Sequence, residues 1–382
     1  MASEKGQKLR VLVTGGAGFI GTHLSRRLLA EGCDVTVLDN FSEQVHSVRA
    51  LPEDLAGECR LVVADVCDRD ALAAAVAGQD VIVHLAAETG TGQSMYSVAR
   101  YEQVNGMGTA LLLDLLVNDA QRTVRKLVVA SSRAIYGEGK YRCATHGVVF
   151  PAERSMEAMS KGIFDPQCPR CLAPCEVLPT DEETPANPLS YYGLTKYQQE
   201  RAVLLFARTL DISGFALRYQ NVYGPGQSLK NPYTGILAIF SNLARRNEGI
   251  NIFEDGLESR DFVYIDDVVE ATWRCIDPQR SGVDVVNVGS GRATTVMEVA
   301  QAIVKYFSSS SRIQVSGAFR KGDIRHNVAD VTKARALLGF EARWGFEDGL
   351  RRFLDWAAGQ ESVKATYAES LAEMRSRGLF RD

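Results

Sequence analysis

The stretch Leu9 to Gly21, LRVLVTGGAGFIG, constrains the fold of this chain more than any other. Leu9 to Val13 is a short leucine and β-branched run, the pattern of a strand buried on both faces. It runs directly into Gly15, Gly18 and Gly21, after which Thr22 to Glu31 continues with helical spacing. Gly15 permits a tight turn, Gly18 lets the backbone approach a pyrophosphate, and Gly21 lets the new helix pack close on the strand. The free N–H groups at that helix start then face an anion. The next strand, Asp34 to Asp39 (DVTVLD), ends in Asp39, 18 residues past Gly21. A carboxylate there grips the ribose hydroxyls of NAD and repels a 2′-phosphate. The expectation is a dinucleotide fold that takes NAD rather than NADP.

Strand and helix patterns then alternate. Leu61–Ala64, Asp80–Ala87 (DVIVHLAA) and Lys126–Ser131 (KLVVAS) read as strands, and Asn105–Val117 as an amphipathic helix. This rhythm predicts an α/β fold built on a doubly wound parallel Rossmann sheet. The loop Glu88 to Ser94 (ETGTGQS) follows the fourth strand, where open α/β sheets bind ligands. The pattern resumes with the helix Ser190–Thr209 and the strand Gly214–Arg218. Beyond Tyr219, short strands (Ile250–Phe253, Asp261–Ile265, Val283–Val288) alternate with short helices, which predicts a smaller mixed α/β lobe over the sheet's carboxyl edge. The division expected is 1–218 with 261–288 for the dinucleotide domain, and 219–260 with 289–382 for the lobe and C-terminal helices. The last two helices, Phe346–Ala358 and Glu361–Arg377, are expected outside the site.

At 382 residues and 46% hydrophobic content, the chain can bury one large or two interlocked domains. A net charge of −4, from 43 basic and 47 acidic residues, argues against nucleic acid or an anionic membrane as partner. No apolar run approaches the roughly 18 residues that span a bilayer. The start, MASEKGQK, is polar and lacks a hydrophobic signal region. A soluble cytoplasmic protein is expected.

The eight cysteines are unevenly placed. Cys33, Cys59, Cys67 and Cys275 are scattered and read as small core residues. Lys140–Leu178 breaks the α/β rhythm, shows neither helix nor strand periodicity, and reads as an insertion after the fifth strand. It carries Cys143-Ala-Thr-His146 and Cys168-Pro-Arg-Cys171, a C-x2-H and a C-x2-C with 21 residues between them. Cytosolic chains rarely keep disulfides, and four such soft donors match a structural zinc ribbon. Cys175 could replace one ligand. The position of the insertion suggests a flap beside the ligand site.

The fifth strand runs into Ser131-Ser132-Arg133-Ala134-Ile135-Tyr136-Gly137, and past the insertion comes Tyr192-Gly-Leu-Thr-Lys196. Tyr192 and Lys196 are four apart and share a helix face. A phenol with a pKa of about 10 is a poor base at neutral pH. A lysine ammonium one turn away, with a positive nicotinamide ring, stabilises the phenolate and brings that pKa towards neutrality. Ser132 would hydrogen-bond the same substrate oxygen.

GxxGxxG, Asp39, SS…YG and YxxxK occur here in one order, and together they resemble the extended short-chain dehydrogenase/reductase family of NAD-dependent nucleotide-sugar epimerases and dehydratases. The likeness covers everything but the insertion. It implies hydride transfer between a sugar carbon and tightly held NAD. Cofactor contacts are then implied for Gly15, Gly18, Phe19, Ile20, Gly21, Asp39 and Asn40, with Asp65 and Val66 at the adenine. Leu85, Ala86, Ala87, Asn105, Tyr192 and Lys196 complete the implied cofactor site. For a nucleotide-diphosphate sugar the resemblance implies Glu88, Thr89, Arg133, Asn221, Arg260, Arg320 and Asp323. A guanidinium fork suits diphosphate oxygens. Arg325 is as well read as a surface charge.

Dehydratases of the family carry Asp-Glu after the serine or threonine, whereas this chain has Arg133 and Ala134. Alanine moves no proton, so the expected reaction is epimerisation at C4 by Ser132, Tyr192 and Lys196. Within the family, SSRAIYG, the cysteine-bearing insertion and EDGLESRDF look like the dTDP-L-rhamnose 4-epimerases, which form dTDP-6-deoxy-L-talose. A UDP-sugar 4-epimerase, an NAD(P)H-dependent 4-ketoreductase and a non-catalytic NAD-sensing protein are the alternatives. The family likeness also implies a homodimer formed through the helices of Asn105 and Tyr192.

Overall fold

Seven parallel strands form the central sheet of the computed structural model, which describes residues 8–231, 235–361 and 367–381. The polar start (residues 1–7) and part of the expected 361–377 helix lie outside the described residues. The strands are β1 (Arg10–Thr14), β2 (Asp34–Asp39), β3 (Arg60–Val63), β4 (Val81–His84), β5 (Lys126–Ser132), β6 (Ser213–Tyr219) and β7 (Val283–Val288). Their spatial order is β7-β6-β5-β4-β1-β2-β3. The chain leaves β1 towards β2 and β3, then crosses back to β4. Such a reversal opens a crevice at the carboxyl ends of β1 and β4.

Both faces of the sheet are covered, as the unbroken apolar strands require. Val11 and Val13 point into one core with α1 (Phe19–Ala30), while Leu12 points into another with α2 (Gly108–Asn118) and α3 (Tyr191–Thr209). All three side chains are fully buried. Each contributes about 1.5–3 kcal/mol of hydrophobic stabilisation.

Several elements depart from the sequence reading. The helix expected from Asn105 begins as a π-turn, Glu102–Met107, before α2. The strand Ser259–Tyr264 pairs with Asn221–Tyr223 and Ala293–Thr295, so the boundary drawn at residue 261 cuts a strand of the smaller lobe. The insertion is not structureless. Tyr141–Cys143, Gly147–Val149 and Glu176–Val177 form a three-stranded antiparallel sheet, and strands of two or three residues are too short to show a period. The C-terminus comes closer to the site than expected: Phe380–Arg381 pairs with Phe319–Arg320.

Candidate active site

The crevice holds a cleft of about 490 Å³ whose floor is the glycine turn after β1. Gly15 has φ +67°, and a Cβ there would lie 2.8 Å from the Ala86 backbone nitrogen. A Cβ on Gly21 would lie 2.5 Å from the Gly15 carbonyl oxygen. Only glycine lets this turn close on β4. Asp39 is fixed at the end of β2 by N–H groups of Ala17 (3.1 Å) and Phe41 (2.8 Å). Gly18, Phe19, Ile20, Asn40, Val66, Leu85, Ala86, Ala87, Glu88 and Thr89 all line the cleft. Asp65 lies in the adjoining depression, where it accepts a hydrogen bond from Asn40 at 2.8 Å.

Asn105 stands beneath the cleft rather than in it. Its amide oxygen accepts from the Glu88 N–H (2.8 Å), and its nitrogen donates to the Glu88 carbonyl and the Thr195 hydroxyl. It therefore holds the loop and α3 together. The carboxylate of Glu88 is paired with Arg100 at 2.7 Å. Tyr101 locks the same loop by donating to the carbonyls of Thr89 and Gly90.

Ser132, at the end of β5, and Tyr192 and Lys196, in the first turns of α3, open onto this cleft. Ser190 caps α3 by accepting from the Gly193 N–H at 3.1 Å. Burial pushes the Tyr192 phenol up, opposed by a hydrogen bond with Ser132 and the positive charge of Arg133. The ammonium of Lys196 donates to the Ala130 carbonyl at 2.9 Å, so the downward pull on Tyr192 comes from Ser132 and Arg133 rather than the expected lysine. Burial brings Lys196 itself down to about 7. At the far wall, the amide oxygen of Asn221 and both polar atoms of the Gln220 amide are buried without a hydrogen-bond partner. Buried polar atoms normally have partners, so these three atoms are open to a ligand or an ordered water at this wall.

Beside the triad lies an arginine-rich arm. Arg260 reaches Asp323 at 3.1 Å, and Arg320 reaches the same carboxylate at 3.0 Å. Burial pushes Asp323 up, but Arg320, Arg260, Arg154 and Arg133 outweigh it and hold the carboxyl well below the usual range. The terminal nitrogens of Arg260 also donate to the carbonyls of Ser259, Ile324 and Arg325. Its fork is thus turned into the protein, against the expectation of a fork turned to the ligand. Burial, then repulsion by Arg260, lowers the Arg133 guanidinium to about 10.

The description of a known family, "NAD dependent epimerase/dehydratase family", matches residues 11–289. The chain belongs to that family. It is 39% identical over 352 residues to a dTDP-L-rhamnose 4-epimerase of Burkholderia thailandensis, a match covering 91% of this chain and 95% of that protein. A UDP-glucose 4-epimerase of Thermotoga maritima, solved with UDP-glucose, shares the fold at a TM-score of 0.74 and 30% identity, covering 92% of this chain and 99% of its own. A Thermus thermophilus UDP-glucose 4-epimerase solved with NAD gives a TM-score of 0.73 at 27% identity, covering 92% of this chain and 100% of its own.

In this family member the insertion gathers a second cluster. Cys143, His146, Cys168 and Cys171 bring their donor atoms within 4.8 Å of one another. Cys143 Sγ lies 3.6 Å from His146 Nδ1 and 3.7 Å from Cys171 Sγ, and Cys168 Sγ lies 3.4 Å from His146 Nδ1. Cys175 stays outside, with its thiol directed at the Ala173 carbonyl. All eight cysteines are free thiols, and Cys67 is half-buried, packed against the core on the Leu12 side of the sheet and bonded to the Gln103 carbonyl. Gln220 and Tyr101 escaped the sequence reading because no residue type in their segments singles them out. Arg325 is 1% exposed and so is no surface charge.

Proposed function

We propose that this protein interconverts the C4 epimers of a nucleotide-diphosphate sugar, with dTDP-L-rhamnose and dTDP-6-deoxy-L-talose as the pair. The observation that carries the reading is Ser132, Tyr192 and Lys196 on one glycine-cradled cleft, with Arg133 and Ala134 where dehydration would need an acid and a base. NAD fits that cleft through the glycine turn and Asp39, and when bound it supplies the acceptor and donor of the C4 hydride. Tyr192 takes the proton of the sugar O4 as that hydrogen leaves and returns it afterwards. Ser132 orients the same oxygen, its hydrogen bond and the charge of Arg133 favour the phenolate, and Lys196 is held beside the cleft by the Ala130 carbonyl. The 4-keto sugar turns within the site between the two transfers, so either face of C4 can be reduced. Arg133 and Arg320 stand at the Asp323 carboxylate, and a planar guanidinium suits diphosphate oxygens.

The dTDP-sugar assignment draws support from the Burkholderia thailandensis relative, and a UDP-sugar epimerase remains the second reading because the solved neighbours act on UDP-glucose. Incubating the protein with dTDP-L-rhamnose, without added cofactor, and following the sugar by NMR tests this. Formation of the talo epimer supports it. Turnover of UDP-glucose alone moves the substrate, and stoichiometric use of NADPH moves the reaction to a reductase.

The reading includes one structural zinc ion. A tetrahedral zinc with bonds of about 2.3 Å to sulfur and 2.0–2.1 Å to nitrogen spaces its donors about 3.5–3.8 Å apart. Three of the six donor separations, 3.4, 3.6 and 3.7 Å, come close to this, and all six lie within 4.8 Å. It also includes a homodimer, supported by apolar side chains left exposed on adjoining helices: Val98, Met107 and Val117 beside Leu194 and Leu205. Large exposed apolar side chains grouped in this way mark interfaces. Among the described residues no helix is long and apolar enough to cross a membrane. Thiols arranged for a metal fit a reducing, cytoplasmic setting.

A further inference from the structure

The insertion does more than carry four metal donors, because two of its charged residues reach across into the smaller lobe. Arg154 is 4% exposed in its side chain and sits on Glu138, which is fully buried, at 2.9 Å. Its two terminal nitrogens then clasp both oxygens of Glu254 at 2.8 Å each, and one of them also donates to the Asp323 carbonyl at 2.9 Å. Glu254 opens the EDGLESRDF segment that contains Arg260, and Asp323 is the carboxylate that Arg260 and Arg320 share.

A second tie runs in parallel. Arg325 donates to Asp165 of the insertion at 2.8 Å, to Glu254 at 3.1 Å and to Asp255 at 2.6 and 2.7 Å. Its backbone N–H is held by Glu138 at 2.9 Å. Asp165 lies three residues before Cys168, a member of the metal cluster, and Arg325 lies two residues after Asp323. Buried bidentate arginine–carboxylate pairs have directional geometry, so they fix position as well as charge. The loop at Asp323–Arg325, which follows the strand Phe319–Arg320, and the turn at Glu254–Asp255 are thereby set from one side by the insertion.

We infer that Arg154 is a positioning residue for nucleotide-sugar binding: with Asp165 it holds the Arg260–Asp323–Arg320 arm in the geometry that takes the diphosphate. This rests on the reading of the arm as the diphosphate site. Neither residue lines the cofactor cleft, so the effect falls on substrate and spares NAD.

The test is calorimetric titration of the NAD-loaded protein with dTDP and with UDP, comparing wild type, Arg154→Met, Arg154→Lys and Asp165→Ala. NAD content and kcat at saturating sugar are measured on the same samples. The expected result is that Arg154→Met weakens nucleotide binding on the order of tenfold, with NAD content unchanged and kcat nearly so. Arg154→Lys, which keeps the charge but not the fork, falls between. Equal affinities across the set overturn the inference, as does a loss of kcat or NAD with affinity unchanged. If Arg154→Met does not fold, Arg154→Lys and Asp165→Ala decide, since the Asp165 side chain is 57% exposed and its removal strands no buried charge. Wild-type protein that binds neither nucleotide removes the functional reading, and the inference with it.

Discussion

A Cβ on Gly193 would lie 2.5 Å from the Ala134 carbonyl oxygen. Gly193 follows Tyr192 on α3, and Ala134 lies two residues after Ser132, so this backbone contact sets the base against the serine. Both partners are main-chain atoms and cannot move aside as a flexible side chain would. Gly193→Ala is expected to lower kcat by roughly 10–100-fold, because a displacement of about 1 Å at a catalytic group can cost on the order of 100-fold. Bound NAD is expected to stay at wild-type level. Unchanged kcat in steady-state assays counts against the contact as the register of the site.

Tyr192→Phe keeps the ring against Tyr101, which it meets edge-on at 6.4 Å, and removes only the hydroxyl. Loss of one general acid–base typically costs about 10²–10⁴-fold. Turnover is expected to fall in that range while NAD is retained on purification. Retained turnover takes Tyr192 out of the mechanism.

Local signals made part of this site legible in the sequence. The glycine turn, Asp39 and the Tyr192–Lys196 spacing each lie within one or two adjoining elements, so chain order alone brings them together. The Arg154, Glu254 and Arg325 network has no such signal: its bonds join residues up to 187 apart, and charged side chains are ordinarily solvated. Arg325 could not be told from a surface charge for that reason. The sequence reads Asn105 as a cofactor contact, whereas in the fold its amide is committed to Glu88 and Thr195. The strands of the insertion were missed because three residues carry no period.

His84 sits fully buried under the cleft, bonded to Thr14 at 2.8 Å and Thr109 at 3.0 Å. Burial lowers it to about 3, and the charge of Lys196 pushes the same way. The unfolded chain takes up this proton near pH 6.5. Between about pH 6.5 and about 3 the unfolded state therefore binds more protons, and stability falls as pH falls. The slope expected from this residue is up to about 1.4 kcal/mol per pH unit within that window. His84→Gln is expected to flatten it in urea melts taken from pH 7 to pH 5; a slope equal to wild type assigns the acid lability elsewhere.

The cluster in the insertion separates Cys171, the ligand read from the sequence, from Cys175, which could replace one. Cys171 Sγ faces Cys143 at 3.7 Å, whereas Cys175 turns to the Ala173 carbonyl and lies outside the four-donor group. A zinc site that loses one of four ligands is weakened, and metal binding couples to local folding. Cys171→Ser is therefore expected to lose most of its zinc and to melt several degrees lower, while Cys175→Ser keeps one zinc per chain. Elemental analysis with thermal melts checks both variants. Equal zinc in the two proteins, or zinc lost only from Cys175→Ser, assigns the fourth ligand differently.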